Sequence, residues 1–315
     1  MLLINLGIFV LSCLVLILSG SFLVKSLVKI SSFLKISGFV MGFVLMAFAT
    51  TIPELFVGIT SGLAKNTALS LGNVIGSNIA NLSLIIGIGV VLSRGIKIKK
   101  EGIKKDAFFM FLIMLLPLVL LFIGRSLSKL DGLILIIVLL FYIKKVLKER
   151  KRYSKEFSDK IKRWEIVLNV LLFVVSLVLL FVSAAFVVRY GTLLSVDLLL
   201  PPLVIGLFLV ALGTSLPELM FSVNAILKGQ GEMALGDIMG AAIVNSTLVL
   251  GVTALIYPIT AVWNLFLVSG IFMMVISFLF LSFVNDDELG LLEGISLIML
   301  YVLFVIVEFY LGVRV

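Results

Sequence analysis

Long apolar stretches separated by short polar segments run through the whole chain. A helix needs roughly 20 apolar residues to cross a hydrocarbon core about 30 Å thick, so the pattern predicts ten membrane-spanning helices. Five precede a basic central segment and five follow it. They lie near residues 2–24, 37–62, 68–93, 106–124, 128–146, 165–188, 201–227, 231–257, 261–283 and 290–312. The expected fold class is an all-α polytopic membrane protein.

The second and seventh stretches carry the same motif. Residues 41–54 read MGFVLMAFATTIPE and residues 205–218 read IGLFLVALGTSLPE, so Glu54 corresponds to Glu218 at an offset of 164 positions. The same offset continues without a gap into the third and eighth stretches, as far as Gly251. Because each half holds an odd number of stretches, the second copy enters the membrane in the opposite direction. The pattern therefore predicts two inverted five-helix repeats.

These repeats predict the organisation of the whole chain. The expected units are a first repeat at 1–146 with its motif at 38–91, a basic linker at 147–164, and a second repeat at 165–315 with its motif at 202–255. The basic segment 144–163 is consistent either with a solvated linker or with a short amphipathic helix on an anionic membrane surface. Its charges leave no wide apolar face, which favours the linker.

Composition and charge agree with a membrane location. Hydrophobic residues make up 62% of the chain and charged residues 13%, and the mean hydropathy is +1.32, which excludes a soluble globule. The net charge of +8 does not indicate nucleic-acid binding, since the Lys and Arg residues lie between apolar stretches. With segment 144–163 in the cytoplasm and both termini outside, the Lys and Arg residues left outside are Lys65, Arg125, Lys129, Arg189 and Arg314. We expect a multi-pass protein of the cell membrane.

The two glutamates are the first candidates for function. Counting about 1.5 Å per residue from the start of each stretch places Glu54 and Glu218 near the membrane centre, approached from opposite faces. An ionised carboxylate there costs several kcal/mol unless it is paired, hydrated or bound to a cation. A buried structural pair, or a carboxyl kept neutral by burial, is the alternative. The duplication in inverted stretches favours a cation site.

Further oxygen ligands surround these glutamates in the sequence. A proline precedes each carboxylate and is expected to free backbone carbonyls such as those of Ala47 and Ala211. Hydroxyl groups one turn earlier belong to Thr50, Thr51, Thr214 and Ser215. Such an all-oxygen set suits Na⁺ and Ca²⁺ and is a poor match for soft metals. No prosthetic group is expected, and the chain is not expected to be an enzyme.

The third and eighth stretches are predicted to form the facing wall. Ser77 and Asn81 in one copy, and Ala241 and Asn245 in the other, share a helical face with glycines. Polar side chains there can be ligands or simply hydrogen bonds between helices, and their recurrence favours ligands. Asp237 is consistent with an acid in the first helical turn, favoured by the helix dipole, or with an entry-site carboxylate.

Together these motifs resemble the alpha repeats of the calcium:cation antiporter superfamily, most closely its prokaryotic sodium/calcium exchangers. The resemblance implies that Ca²⁺ is held by the two glutamates and by oxygens of Thr50 and Thr214. It implies Na⁺ sites that use Ala47, Thr50, Glu54 and Ser77 in one half and Ala211, Thr214 and Glu218 in the other, with Asn81 and Asn245 lining the middle.

Two positions depart from that family's pattern, since Ala241 and Asn245 replace a typical serine and aspartate. The predicted core charge is then about −2, which balances one Ca²⁺, two Na⁺ or two H⁺ equally well. The leading hypothesis is an antiporter that exchanges Ca²⁺ for Na⁺ by alternating access. Proton-coupled exchange of Ca²⁺ or another divalent ion is the alternative, and a passive cation channel is a further one. The expected partners are these ions and the lipid bilayer, with no nucleic acid and no obligate protein partner.

An intramembrane protease is excluded on motif grounds. Residues 234–237 read ALGD where an aspartyl protease of this kind needs a GxGD segment, and no partner aspartate is evident. A zinc protease is excluded by the absence of histidine from the chain.

Overall fold

The computed structural model describes residues 1–33, 48, 50–98, 101–150, 163–286 and 288–314. Most of these residues are helical, and short turns join the helices. The helices are α1 (Leu2–Phe33), α2 (Ile52–Leu63), α3 (Thr67–Ser93), α4 (Glu101–Gly124), α5 (Lys129–Arg150), α6 (Arg163–Asp197), α7 (Pro202–Thr214), α8 (Leu216–Leu227), α9 (Gly231–Ile256), α10 (Trp263–Asn285) and α11 (Leu291–Gly312). Two short strands accompany them, β1 (Ile96–Lys97) and β2 (Glu288–Leu289).

Every stretch predicted to cross the membrane contains a helix, which confirms the all-α polytopic class. Within the described residues, seven helices are long and apolar enough to cross a bilayer, and the bent pair α7 and α8 raises this to eight. Helix α2 has only 12 residues, and the beginning of its predicted stretch lies outside the described residues. Helix α5 ends in a strongly basic segment. The count of ten spans therefore stays a prediction.

Some helices are longer than the apolar stretches that predicted them. Helix α1 continues to Phe33 instead of ending near 24, and α6 continues to Asp197 instead of ending near 188. Lys and Arg are good helix formers, so a charged residue limits the span in the membrane without ending the helix. The predicted basic linker is bordered by helices up to Arg150 and from Arg163, and its residues 151–162 lie outside the described part of the chain.

Helices α3 and α9 form the centre of the molecule. In the most apolar part of each, 83% of the residues are buried, against 28–39% in the other long helices. The remaining helices surround them, and their exposed faces carry large apolar side chains suited to contact with lipid. Helices α1 and α6 pack along one another at the side of this bundle. The two predicted facing walls are thus the two central helices.

Close approach of α3 and α7 depends on glycine. A Cβ atom on Gly72 would overlap the backbone carbonyl of Leu203, and one on Gly206 would overlap that of Leu69. Small residues allow helix backbones to approach closely in membranes, where packing and hydrogen bonding drive association. The first half of the seventh predicted stretch is therefore held directly against the third.

Helical geometry is interrupted at matching places in α3 and α9. Residues Ala80–Ile85 in α3 and Asn245–Val249 in α9 are π-helical, and so are Gly206–Val210 in α7. A π-helical turn inserts an extra residue into the regular hydrogen-bond ladder and occurs frequently at functional sites. Between α7 and α8 the chain bends by 49° just before Pro217, whose ring cannot continue the regular ladder.

Two short backbone pairings lie outside the helices. Strand β1 pairs antiparallel with β2, with Ile96 opposite Leu289, and an isolated antiparallel bridge joins Leu127 to Ile259. Adding the offset of 164 positions to Ile96 gives a position next to Ile259, and subtracting it from Leu289 gives a position two residues from Leu127. The connections of the two halves thus pair in corresponding ways.

Candidate cation-binding site

Glu54 and Glu218 occupy equivalent places in the fold. Each lies in the first turn of a helix, α2 or α8, that starts just after a break and has proline among its first residues. Both side chains are fully buried, and none of their four carboxylate oxygens has a hydrogen-bond partner among the described residues. The first turn favours negative charge through the helix dipole, but that effect is about 1 kcal/mol and does not offset burial of a carboxylate.

The structure brings the two glutamates together with hydroxyl groups, and a threonine from the opposite half of the chain lies near each glutamate. Glu218 interacts electrostatically with Glu54, and the hydroxyl of Thr50 lies within its interaction range. The hydroxyls of Ser77 and Thr214 lie within the same range of Glu54, although neither meets hydrogen-bond geometry with the carboxylate. Each carboxylate therefore faces the threonine of the other repeat motif.

Thr214 connects the seventh stretch to the third. Its Oγ1 donates to Oδ1 of Asn73 at 3.1 Å or to the carbonyl oxygen of Ala211 at 3.3 Å, and it lies 3.4 Å from Oγ of Ser77. A hydroxyl has one hydrogen, so the oxygen keeps lone pairs that can accept a hydrogen bond or coordinate a cation. Asn73 was not among the predicted site residues, because its counterpart in the second repeat is a different residue, Asp237.

The expectation that proline frees the carbonyl of Ala211 is wrong. This carbonyl accepts the backbone N–H of Ser215 at 2.9 Å in addition to the Thr214 hydroxyl. Proline lacks the N–H that would bond to the residue four positions earlier, which for Pro217 is Gly213. The break thus affects a carbonyl half a turn later than predicted. The corresponding residue of the first half, Ala47, lies outside the described residues.

The residues at the two breaks, Thr51 and Ser215, are buried and immediately precede α2 and α8. Their carbonyls make equivalent hydrogen bonds, to the N–H of Leu55 and of Leu219, each at 3.0 Å. Oγ of Ser215 has no partner among the described residues. The two breaks are therefore built alike.

The central asparagines form a network that the sequence predicted only in part. Asn245 donates through Nδ2 to Oδ1 of Asn78 at 3.2 Å, and Asn78 donates through Nδ2 to Oγ of Ser246 at 2.9 Å. Asn78 was missed because Ala242 stands at its place in the second repeat, so it carried no repeat signal. Both polar atoms of Asn81 and Oδ1 of Asn245 are buried without a hydrogen-bond partner among the described residues. These amide oxygens remain available as ligands.

Asp237 does not lie in the first turn of its helix, so that interpretation is wrong. Helix α9 begins at Gly231, and Glu232 is the acid in its first turn. Asp237 follows more than one turn later, is buried, and interacts electrostatically with Glu218. Its backbone N–H is already committed to the helix, so the dipole of the terminus does little for this carboxylate.

A further buried carboxylate, Glu308 in α11, was not predicted. Its side chain is fully buried, and neither oxygen has a hydrogen-bond partner among the described residues. It lies one turn from Phe304, whose ring contacts Phe208 at 5.4 Å between centroids, and one turn from Gly312, which faces Val204. Glu308 therefore packs toward the outer side of α7, away from the glutamate pair, and it has no counterpart in the first repeat.

The site can hold small, hard cations. Its groups are carboxylates, hydroxyls and amide oxygens, the ligand types that Na⁺ and Ca²⁺ prefer. Among the described residues, no three acidic, histidine or cysteine side chains converge on one point. Any bound cation would therefore be shared between one or two carboxylates and neutral oxygens.

Comparisons with known proteins agree with this geometry. A family model described as "Sodium/calcium exchanger protein" matches residues 4–147 and 168–310. The sodium/calcium exchanger MaX1 of Methanosarcina acetivorans is 31% identical over 98% of this chain and 100% of its own length. The uncharacterized membrane protein MJ0091 of Methanocaldococcus jannaschii is 28% identical over 96% of this chain and 97% of its own.

Solved structures give the same result. One structure of the sodium-calcium exchanger NCX_Mj superimposes with a TM-score of 0.68, at 27% identity, and the match covers 96% of this chain and 98% of that one. The chain belongs to the sodium/calcium exchanger protein family, within the calcium:cation antiporter superfamily.

Proposed function

We propose that this protein exchanges Ca²⁺ for Na⁺ across a membrane by alternating access, with the ions bound at Glu54 and Glu218. One observation carries the site assignment. Two fully buried carboxylates from related segments interact with each other and have no protein hydrogen-bond partner among the described residues. The names of the relatives MaX1 and NCX_Mj support the choice of ions.

Physical chemistry explains why such a pair binds cations. Two ionised carboxylates close together repel each other and lose their hydration, and each costs several kcal/mol in a membrane interior. One Ca²⁺ or two Na⁺ ions neutralise both charges. The hydroxyls of Thr50 and Thr214, and the amide oxygens of Asn81 and Asn245, supply neutral ligands that complete a coordination shell. Ca²⁺ and Na⁺ then compete for the same carboxylates, which is the requirement for exchange.

The architecture proposed for this transport is two inverted five-helix repeats with ten spans. Three observations support it. Each predicted stretch contains a helix within the described residues, the family model matches two ranges that fall on the two halves, and the short backbone pairings correspond at an offset of about 164 positions. Inverted repeats with broken helices around a midplane site are typical of secondary transporters. We further propose that both termini lie outside and that the basic segment 144–163 lies in the cytoplasm, from the distribution of Lys and Arg.

Alternating access follows from the charge of the site. A bare pair of carboxylates resists enclosure in a closed, dry state, whereas an ion-loaded pair does not. The empty protein therefore does not cross between its two open states, and the loaded protein does. This difference produces coupled exchange and distinguishes an antiporter from a channel, which conducts without such a cycle.

The test is Ca²⁺ uptake into vesicles that contain the purified protein and a high internal Na⁺ concentration. Uptake should require the outward Na⁺ gradient and should be lost in Glu54→Gln and in Glu218→Gln. Uptake that persists unchanged in either variant would contradict the site assignment. Uptake driven by a pH gradient in Na⁺-free medium would instead identify H⁺ as the coupling ion, and uncoupled Ca²⁺ conductance would identify a channel.

A further inference from the structure

The two halves of the candidate site differ at two neighbouring positions. In the first half, Asn73 and Ser77 lie one turn apart on α3, and both interact with Thr214. In the second half, the corresponding residues on α9 are Asp237 and Ala241. Compared with the first half, the second half lacks a hydroxyl at position 241 and has a carboxylate one turn before it.

Asp237 has the features of a cation ligand. Its side chain is 6% exposed, and both carboxylate oxygens are buried without a hydrogen-bond partner among the described residues. It interacts electrostatically with Glu218, and so does the hydroxyl of Thr50. Thr50 is the first-half counterpart of Thr214, so Asp237 and Thr50 both act on the second-half glutamate, Glu218.

We propose that Asp237 and Glu218 form a Na⁺-binding position of their own beside the glutamate pair. This inference rests on the proposed function and concerns the same transport site. The position lies about one helical turn, or about 5.4 Å, closer to the beginning of α9 than the absent hydroxyl of residue 241. A carboxylate placed one turn away thereby takes over the ligand role that Ala241 cannot fill.

A monovalent ion fits this position better than Ca²⁺. Within the described parts of the chain, no three acidic side chains converge on one point, so Asp237 does not join Glu54 and Glu218 around a single divalent ion. The carboxylate nevertheless adds one negative charge to the two predicted from the repeat motif. One more Na⁺ balances that charge.

A purely structural role for Asp237 predicts a different outcome. A buried carboxylate without a partner is costly, and a structural aspartate is retained because it accepts hydrogen bonds that hold the fold. None is present among the described residues. Asparagine, the residue found at the corresponding position 73, has the same shape and lacks the charge. Replacement by asparagine therefore removes the negative charge that the proposed ion balances and preserves the packing.

The experiment measures Ca²⁺ uptake into vesicles of the full chain as a function of Na⁺. In Asp237→Asn we expect the Na⁺ concentration at half-maximal effect to rise about tenfold, as for loss of one charged ligand, and the Hill coefficient for Na⁺ to fall by about one. The concentration of Ca²⁺ at half-maximal uptake should change less than about threefold. Adding Ala241→Ser to Asp237→Asn should recover part of the Na⁺ dependence. Asp286→Asn, which removes an exposed carboxylate, is the matched control and should behave as the unmodified protein.

Several results would overturn this inference. The first is an unchanged dependence of uptake on Na⁺ concentration in Asp237→Asn. The second is an equal rise in the half-maximal concentrations of Na⁺ and Ca²⁺ in an Asp237→Asn variant that retains the melting temperature of the unmodified protein. A lowered melting temperature in Asp237→Asn would indicate the structural role and would also overturn it. The proposed function fails separately, if the unmodified protein shows no Na⁺-driven uptake or if Glu54→Gln retains it.

Discussion

Replacing Glu218 with glutamine should have opposite effects on ion binding and on the stability of the empty protein. The side chain is fully buried, interacts with Glu54, and accepts no hydrogen bond from the described residues. Glutamine keeps its size and removes its charge. The Glu218→Gln variant should therefore bind Ca²⁺ weakly, while the ion-free form loses an unfavourable buried charge and becomes more stable.

The magnitudes follow from the charges. At an effective dielectric constant of about 20, two unit charges about 4 Å apart interact by about 4 kcal/mol, so loss of one carboxylate should weaken Ca²⁺ binding by roughly a hundredfold to a thousandfold. A ligand present at about 100 times its dissociation constant stabilises the folded protein by about 2.7 kcal/mol. For a chain of 315 residues, that corresponds to a rise of about 4 °C in melting temperature. The variant should show almost no rise at the same Ca²⁺ concentration.

The assay is thermal unfolding of the detergent-solubilised protein with and without Ca²⁺, supported by titration calorimetry. Glu308→Gln provides a matched control, because Glu308 is equally buried and equally without a hydrogen-bond partner among the described residues but packs on the far side of α7. Both variants should melt higher than the unmodified protein when empty, and only Glu308→Gln should keep the Ca²⁺-dependent rise. A full Ca²⁺-dependent rise in Glu218→Gln would refute the assignment of this carboxylate as a ligand.

Two further predictions concern packing around the site. Asn78→Ala leaves Nδ2 of Asn245 without its acceptor and should lower the free energy of unfolding by about 1–3 kcal/mol. The control, Asn224→Ala, lies at an exposed helical position and should change this free energy by less than about 1 kcal/mol. Thermal unfolding measures both. Gly72→Ala places a methyl group against a backbone carbonyl of α7 and should abolish Ca²⁺ transport or prevent folding. In the control, Gly102→Ala, the added methyl group meets nothing within 4 Å. This control should preserve Ca²⁺ transport and should elute as a single species in size-exclusion chromatography.

The duplicated features of the site could be predicted from the sequence because the repeat supplied independent support for each. Glu54 and Glu218 were identified in this way, and the structure places both in equivalent first turns after a break. The pairing of each carboxylate with the threonine of the other half could not be predicted from spacing alone. That pairing depends on how the two motifs meet in three dimensions.

Most of the residues that were missed or misassigned have no matching copy in the other half. Asn78 faces Asn245 but corresponds to an alanine, and Glu308 has no related carboxylate in the first half. The predicted stretch began at 231, where the helix does begin, so Asp237, six residues later, was wrongly counted as part of the first turn. The expectation of a freed carbonyl at Ala211 failed for a different reason, because the effect of proline was placed two residues too early in the chain. Both local rules act over about one helical turn, so an error of a few residues changes what they predict.

In the proposed function, the crossed arrangement of the two glutamates and the two threonines would link ion binding to movement between the halves. Glu54 lies within range of Thr214, and Glu218 within range of Thr50, so each partial site is assembled from both repeats. A site contained in one repeat would travel with it and keep its ligands. Here, any displacement of one repeat relative to the other must separate a carboxylate from its hydroxyl partner and weaken the hold on the ion. We therefore expect opening of the protein toward either side to be accompanied by release, so that affinity and access change in the same step.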